Sequence, residues 1–157
     1  MWRIARDFGL DAKALARANR LSDSSQVRTG QVLFIPSPLE SNRFLWPLRG
    51  SLTPVRGSSG YPDSRSLEIS APEGSLVRAS RTGRVAVATR DLKGWGRTVI
   101  LDHEDGYLTV YAGLEQLLVG PGASVQQGNP VGKVGRRPLY FEIRYGTHLR
   151  DPRQLLP

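Results

Sequence analysis

With 157 residues the chain is long enough for one domain plus a smaller one, and for a buried core without covalent staples. It contains no cysteine, which excludes disulfides, thiolate metal ligands and a cysteine nucleophile. Lys and Arg number 22 against 14 Asp and Glu, a formal net charge of +8. Such a field favours polyanions in general. No helix-turn-helix, zinc finger or basic-aromatic single-strand platform accompanies it, so the sequence predicts no nucleic-acid partner.

The 17 Gly and 11 Pro make up about 18% of the chain, against about 12% in average usage, and predict a turn-rich, mainly β architecture. No apolar run approaches the roughly 20 residues needed to span a bilayer as a helix. Met1 is followed by an amphipathic stretch, not the apolar core of a signal peptide. If the protein works outside the cytoplasm, its leader is expected to lie outside this sequence.

Trp2, Ile4, Ala5 and Phe8 place apolar groups on one side of a short helix over residues 2–8, with Gly9 as its left-handed stop. Asp11 is placed to cap a second helix lined by Leu15, Ala16 and Ala18 and ended by Asn19. Val32, Leu33, Phe34 and Ile35 read as a short strand closed by Pro36.

The run Trp2-Arg3-Ile4-Ala5, Leu15 to Asn19, Leu21-Ser22-Asp23 and Gly30-Gln31 through Phe34-Ile35-Pro36 resembles a LysM module, covering residues 1–36. LysM folds are βααβ and bind N-acetylglucosamine-containing glycans of peptidoglycan or chitin. The resemblance implies weak glycan contacts from Leu21, Ser22, Asp23 and Ser24. The first strand and the turn that should precede Trp2 are absent from this sequence. The remaining strand is therefore expected to be an unpaired edge, in a segment loosely held or dependent on a partner strand.

Residues 37–45 carry proline and polar residues without period and read as a linker. From Trp46 onward, short β runs alternate with glycine turns. Val85–Ala88, Thr98–Leu101, Leu108–Tyr111, Val131–Val134 and Tyr140–Ile143 are the strand candidates, with turns at Gly94, Asp105-Gly106, Gly120 to Gly122 and Gly128-Asn129-Pro130. They predict a compact antiparallel domain of many short strands over residues 46–157.

In that domain Trp46-Pro47, Ala71-Pro72-Glu73-Gly74, Gly83-Arg84-Val85, Gly96 to His103, Gly106-Tyr107, Tyr111, Gly128 to Gly132, Phe141-Glu142-Ile143-Arg144 and Asp151-Pro152 resemble, in order and spacing, the lysostaphin/LytM family of zinc endopeptidases. That family holds zinc with a histidine and an aspartate four residues apart, and with the second histidine of a His-x-His strand. Here the corresponding positions are Ser64, Glu68, Pro138 and Tyr140, and Gly113 stands at the family's other histidine. Catalytic zinc normally takes three protein ligands and an open water position. Glu68 alone cannot supply them, and Pro138 and Gly113 have no side-chain donor. The resemblance therefore implies a domain without zinc, without another cofactor and without hydrolytic activity.

The two histidines of the chain do not restore the site. His103 precedes a turn, at a position where active members carry a histidine that is not a ligand, and reads as structural. His148 reads as an exposed residue of a Tyr145 to Arg150 loop. No Ser-His-Asp arrangement or paired catalytic carboxylates stands out.

Lys133 to Leu139 is also shorter than the loop of active members. Arg136 through Arg144 is most similar to the degenerate LytM factors of the EnvC and NlpD kind, which activate N-acetylmuramyl-L-alanine amidases during cell separation. The implied role is a non-enzymatic regulator of peptidoglycan hydrolysis in the periplasm or cell envelope, with peptidoglycan and an amidase or another envelope protein as partners. A peptidoglycan-binding or scaffolding role without an amidase is the alternative. Alternation along a strand places Tyr140, Pro138 and Arg144 on one face. The expected partner groove has Tyr140 at its centre, Arg144 as a bidentate donor to a partner carboxylate, Tyr111 and Gly113 on the neighbouring strand, and Glu68 beside them.

Overall fold

A computed structural model describes residues 2–7, 12–21, 27–35, 43–53 and 65–157. They fall into two compact units, Met1–Asn42 and Arg43–Pro157.

The first unit carries two helices, α1 (Trp2–Asp7) and α2 (Ala12–Ala18), where the apolar spacing predicts them. Gly9 and Asp11, the expected stop and cap, lie outside the described residues. Ala5, Leu15 and Ala16 are its buried apolar groups. At the end of α2 the N–H groups of Asn19 and Leu21 both donate to the Ala16 carbonyl, at 3.1 and 3.0 Å.

Residues 31–35 do not form a strand, contrary to the sequence expectation, and Val32 is 92% exposed. A side chain does the work of a neighbouring strand at one position. The Asn19 amide accepts from the Phe34 N–H at 2.7 Å and donates to the Phe34 carbonyl at 2.7 Å. Its Nδ2 also donates to the Leu15 carbonyl at 2.8 Å, which ties the segment to α2.

The second unit is mostly β, as composition and patterning predict. Its strands are β1 (Ser51–Thr53), β2 (Leu67–Ser70), β3 (Leu76–Arg78), β4 (Gly83–Thr89), β5 (Arg97–Asp102), β6 (Tyr107–Leu117), β7 (Ser124–Val125), β8 (Pro130–Val134), β9 (Leu139–Tyr145) and β10 (His148–Arg150). Every candidate strand of residues 46–157 falls inside one of these. All pairings are antiparallel, in the order β1-β2-β9-β6-β5-β4-β7. β10 adds to β9, and β8 bridges β3 and the far half of β6.

The core lies on one face of this sheet. Leu139, Phe141 and Ile143 of β9, Val99 and Leu101 of β5, and Tyr111 of β6 are at most 1% exposed there. Each large apolar side chain taken from water contributes roughly 1.5–3 kcal/mol. A one-residue slip of β9 would exchange those three for Tyr140, Glu142 and Arg144, so burial locks the register.

Phe44 is 2% exposed and belongs to the same core, while the Leu45 N–H donates to the Ser80 carbonyl at 2.7 Å. Residues 43–45, read from sequence as linker, are thus part of the second unit; an aromatic packed on His103 and Tyr107 marks the difference. The Tyr145 to Arg150 segment is likewise not a loop but a β-turn hairpin, with an exposed His148 opening β10.

Candidate functional site

β9 supplies the centre of the site. Its non-core face carries Tyr140, Glu142 and Arg144, two residues apart each, as strand alternation requires. Register brings their neighbours into line: Glu68 of β2 pairs with Tyr140 on one side, and Ala112 of β6 pairs with Tyr140 on the other. Thr53 of β1 pairs with Glu68 and donates its hydroxyl to the Glu68 carbonyl at 3.3 Å.

Tyr140 is 6% exposed, and its hydroxyl donates to Glu142 Oε1. The second carboxylate oxygen of Glu142 accepts from Arg144 Nε at 2.7 Å. Glu142 itself is 2% exposed, so a buried carboxylate is held between a phenol and a guanidinium. Trp95 stands edge-on to Tyr140, with ring centroids 5.0 Å apart and an interplanar angle of 68°. Asp91 pins the Trp95 loop by accepting from the N–H groups of Gly94 and Gly96 at 3.2 and 3.1 Å.

Gly113 marks the corner of the site. Up to Ala112, β6 pairs with β9; from Leu114 it pairs with β8. Gly113 turns this corner at φ +74°, a region where a side chain is strained, and a Cβ there would lie 3.2 Å from the Pro138 carbonyl oxygen. The Gly113 N–H donates to the Trp95 carbonyl at 3.0 Å, joining the corner to the loop.

The structure places Glu68, Tyr140, Gly113 and Pro138 near one another, with Arg144 joined to Tyr140 through Glu142. Tyr111 is a correction. It pairs with Phe141, not Tyr140, and alternation places it on the core face, where it is 0% exposed. Its hydroxyl accepts from the Ser80 N–H at 2.8 Å and is bonded to Thr109 at 2.9 Å. Burial pushes the phenol well above its ordinary pKa. Leu21 of the first unit is half-buried at the end of α2, and Ser22, Asp23, Ser24 and Ser64 lie outside the described residues.

Sequence reasoning missed Trp95 and Glu142. The Gly-Trp-Gly run was the signal for the first: an aromatic held between two glycines in a turn. The second was legible as the residue between Tyr140 and Arg144 on the same strand face.

His103 serves the fold. It is 8% exposed, with Nδ1 2.8 Å from the Thr82 carbonyl and Nε2 2.9 Å from the Thr109 hydroxyl. The carbonyl requires a proton on Nδ1, so Nε2 of the neutral ring accepts from Thr109. Burial holds the pKa down to about 4, against an ordinary value of 6.5, and the nearby Arg81 charge acts in the same direction.

Glu68 and Tyr140 thus stand opposite each other across β2 and β9, with the Gly113–Pro138 corner alongside. At that point stand one carboxylate, a phenol already bonded to Glu142, and two residues without side-chain donors. This set does not fit a zinc ion. Among the described residues, no group of three or more His, Cys, Asp or Glu is placed to hold a metal.

The chain belongs to peptidase family M23, whose model matches residues 63–152, and a LysM domain matches residues 1–36. It is 28% identical to the uncharacterized lipoprotein YgeR of Escherichia coli K12, covering 100% of this chain and 77% of that one. It is 31% identical to the murein hydrolase activator NlpD of the same organism over 71% of this chain, which spans only 31% of NlpD's length. Among solved structures, a putative M23 peptidase from Pseudomonas aeruginosa superposes with a TM-score of 0.59 at 24% identity, over 96% of this chain and 59% of that one. No helix among the described residues is long and apolar enough to cross a membrane.

Proposed function

We propose that this protein is a non-enzymatic regulator of peptidoglycan hydrolysis that binds and activates an N-acetylmuramyl-L-alanine amidase in the periplasm or cell envelope, while its LysM region engages peptidoglycan. The observation that carries this reading is the donor set at the M23 metal position: Glu68, Tyr140, Gly113 and Pro138 offer a single carboxylate where zinc needs three ligands. The face around them presents Trp95 and Arg144, residue types that dominate interface energetics. The similarity to NlpD, a murein hydrolase activator, supports the same role.

The test is hydrolysis of purified sacculi by a cognate amidase with and without the chain, alongside elemental analysis of the chain after dialysis. Activation of the amidase by a zinc-free chain that cleaves nothing alone is the expected result. Near-stoichiometric zinc, or chelator-sensitive cleavage by the chain alone, overturns the non-enzymatic reading. Retention on sacculi without any effect on the amidase leaves the wall-binding scaffold as the better account, a role favoured by the LysM match and the net charge of +8.

A further inference from the structure

Among the described residues Glu142 is the one fully buried carboxylate of the site face. Both of its oxygens are occupied, Oε1 by the Tyr140 hydroxyl and Oε2 by Arg144 Nε at 2.7 Å. A buried carboxylate so satisfied is fixed in orientation, because any rotation leaves a charged oxygen without a donor. It fixes Arg144 in turn through the Nε edge alone. The Arg144 side chain is 33% exposed, and among the described residues its two terminal nitrogens meet no partner.

We propose that Glu142 is a positioning residue that holds Arg144 as an end-on receptor for a single carboxylate, the acidic side chain of a docking protein segment whose apolar neighbour packs on Trp95. This rests on the reading of the face as a partner groove and names the chemistry of the partner. The guanidinium is a planar fork: with Nε committed to Glu142, the Nη1 and Nη2 pair is the edge left for bidentate recognition. Preorganisation matters because a free arginine gives up much of its rotamer freedom on binding, whereas this one has already lost it in the fold. Trp95, half-buried against Tyr140, selects a ligand that is apolar next to its charge.

The receptor is tested without any amidase, so that its failure and that of the activator reading are separable. Full-length chain labelled with nitrogen-15 is titrated with 4-phenylbutyrate and, separately, with the isosteric neutral 4-phenylbutyramide. The carboxylate is expected to shift the Arg144 Nε–H and Trp95 indole N–H signals saturably, and the amide at least tenfold more weakly. Glu142→Gln should weaken the carboxylate at least fivefold and broaden the Arg144 Nε–H signal.

Tyr140→Phe, which removes only the hydroxyl held by Glu142, should act in the same direction by a smaller factor, and serves if Glu142→Gln does not fold. Equal responses to acid and amide, absence of a saturable shift at Arg144, or wild-type affinity in the folded variants would each overturn the proposal. A receptor that behaves as expected in a chain that activates no amidase would leave the proposal standing and remove the activator reading.

Discussion

Trp95 stands edge-on to Tyr140, with ring centroids 5.0 Å apart, and Tyr140 is 6% exposed. Tyr140→Ala therefore does two things. On the proposed partner groove it costs about 2 kcal/mol or more in partner binding, roughly 30-fold in Kd. It also opens a cavity under Trp95 and strips Glu142 of a donor, so the melting temperature falls as well. Trp95→Ala tests the pair from the other side: calorimetric titration against the amidase should show a loss comparable to that of Tyr140→Ala.

Gly113 is the residue that most resists a return to the family pattern. At φ +74° with the Pro138 carbonyl 3.2 Å from a new Cβ, Gly113→Ala should destabilise the domain by about 1–2 kcal/mol. Gly113→His should cost at least as much, and should not confer zinc binding when combined with histidine at positions 138 and 140. Thermal unfolding of the single variants, with Gly120→Ala in an open turn as control, checks the first claim. Elemental analysis of the triple variant checks the second.

His103 makes stability depend on acid. Its folded pKa of about 4 lies below the ordinary 6.5, so the unfolded chain takes up the proton first as pH falls. The contribution is fully present above pH 6.5 and is lost progressively as pH drops from there toward 4, in total roughly 3 kcal/mol. His103→Gln should be less stable than wild type at pH 7, and the gap should narrow steadily to pH 4.5. Denaturant titrations at five or so pH values give the slope; a constant gap would show that His103 does not titrate in this way.

In the first unit, Asn19→Ala removes both hydrogen bonds to the Phe34 backbone together with the tie to Leu15. A lost, partly buried pairing of this kind costs about 1–3 kcal/mol. Hydrogen exchange at the Phe34 amide should show protection in wild type well above that of Val32, which is 92% exposed, and near-complete loss of it in the variant. Equal exchange at both amides in wild type would mean that the asparagine does not replace the missing strand.

What the sequence determined by itself was local or chemical. Short runs such as Tyr140 to Ile143, rich in aromatic and β-branched residues and set off by turn signals, marked their strands, because both features are written residue by residue. The lack of zinc donors at Pro138 and Gly113 needed no coordinates, since no fold gives a proline or a glycine a ligating side chain.

What only the tertiary structure decided concerns which face and which neighbour. Tyr111 and Tyr140 look equivalent as aromatics of adjacent strands, yet the β6–β9 register opposes Tyr111 to Phe141 and Ala112 to Tyr140, which sends the two tyrosines to opposite faces. Register is a property of two segments separated by a long stretch of chain, fixed by the joint burial of Leu139, Phe141 and Ile143, and neither strand carries it alone. The same holds for Phe44, drawn from a polar stretch into a slot built by His103 and Tyr107, and for Asn19, whose amide meets Phe34 only because α2 turns back on it.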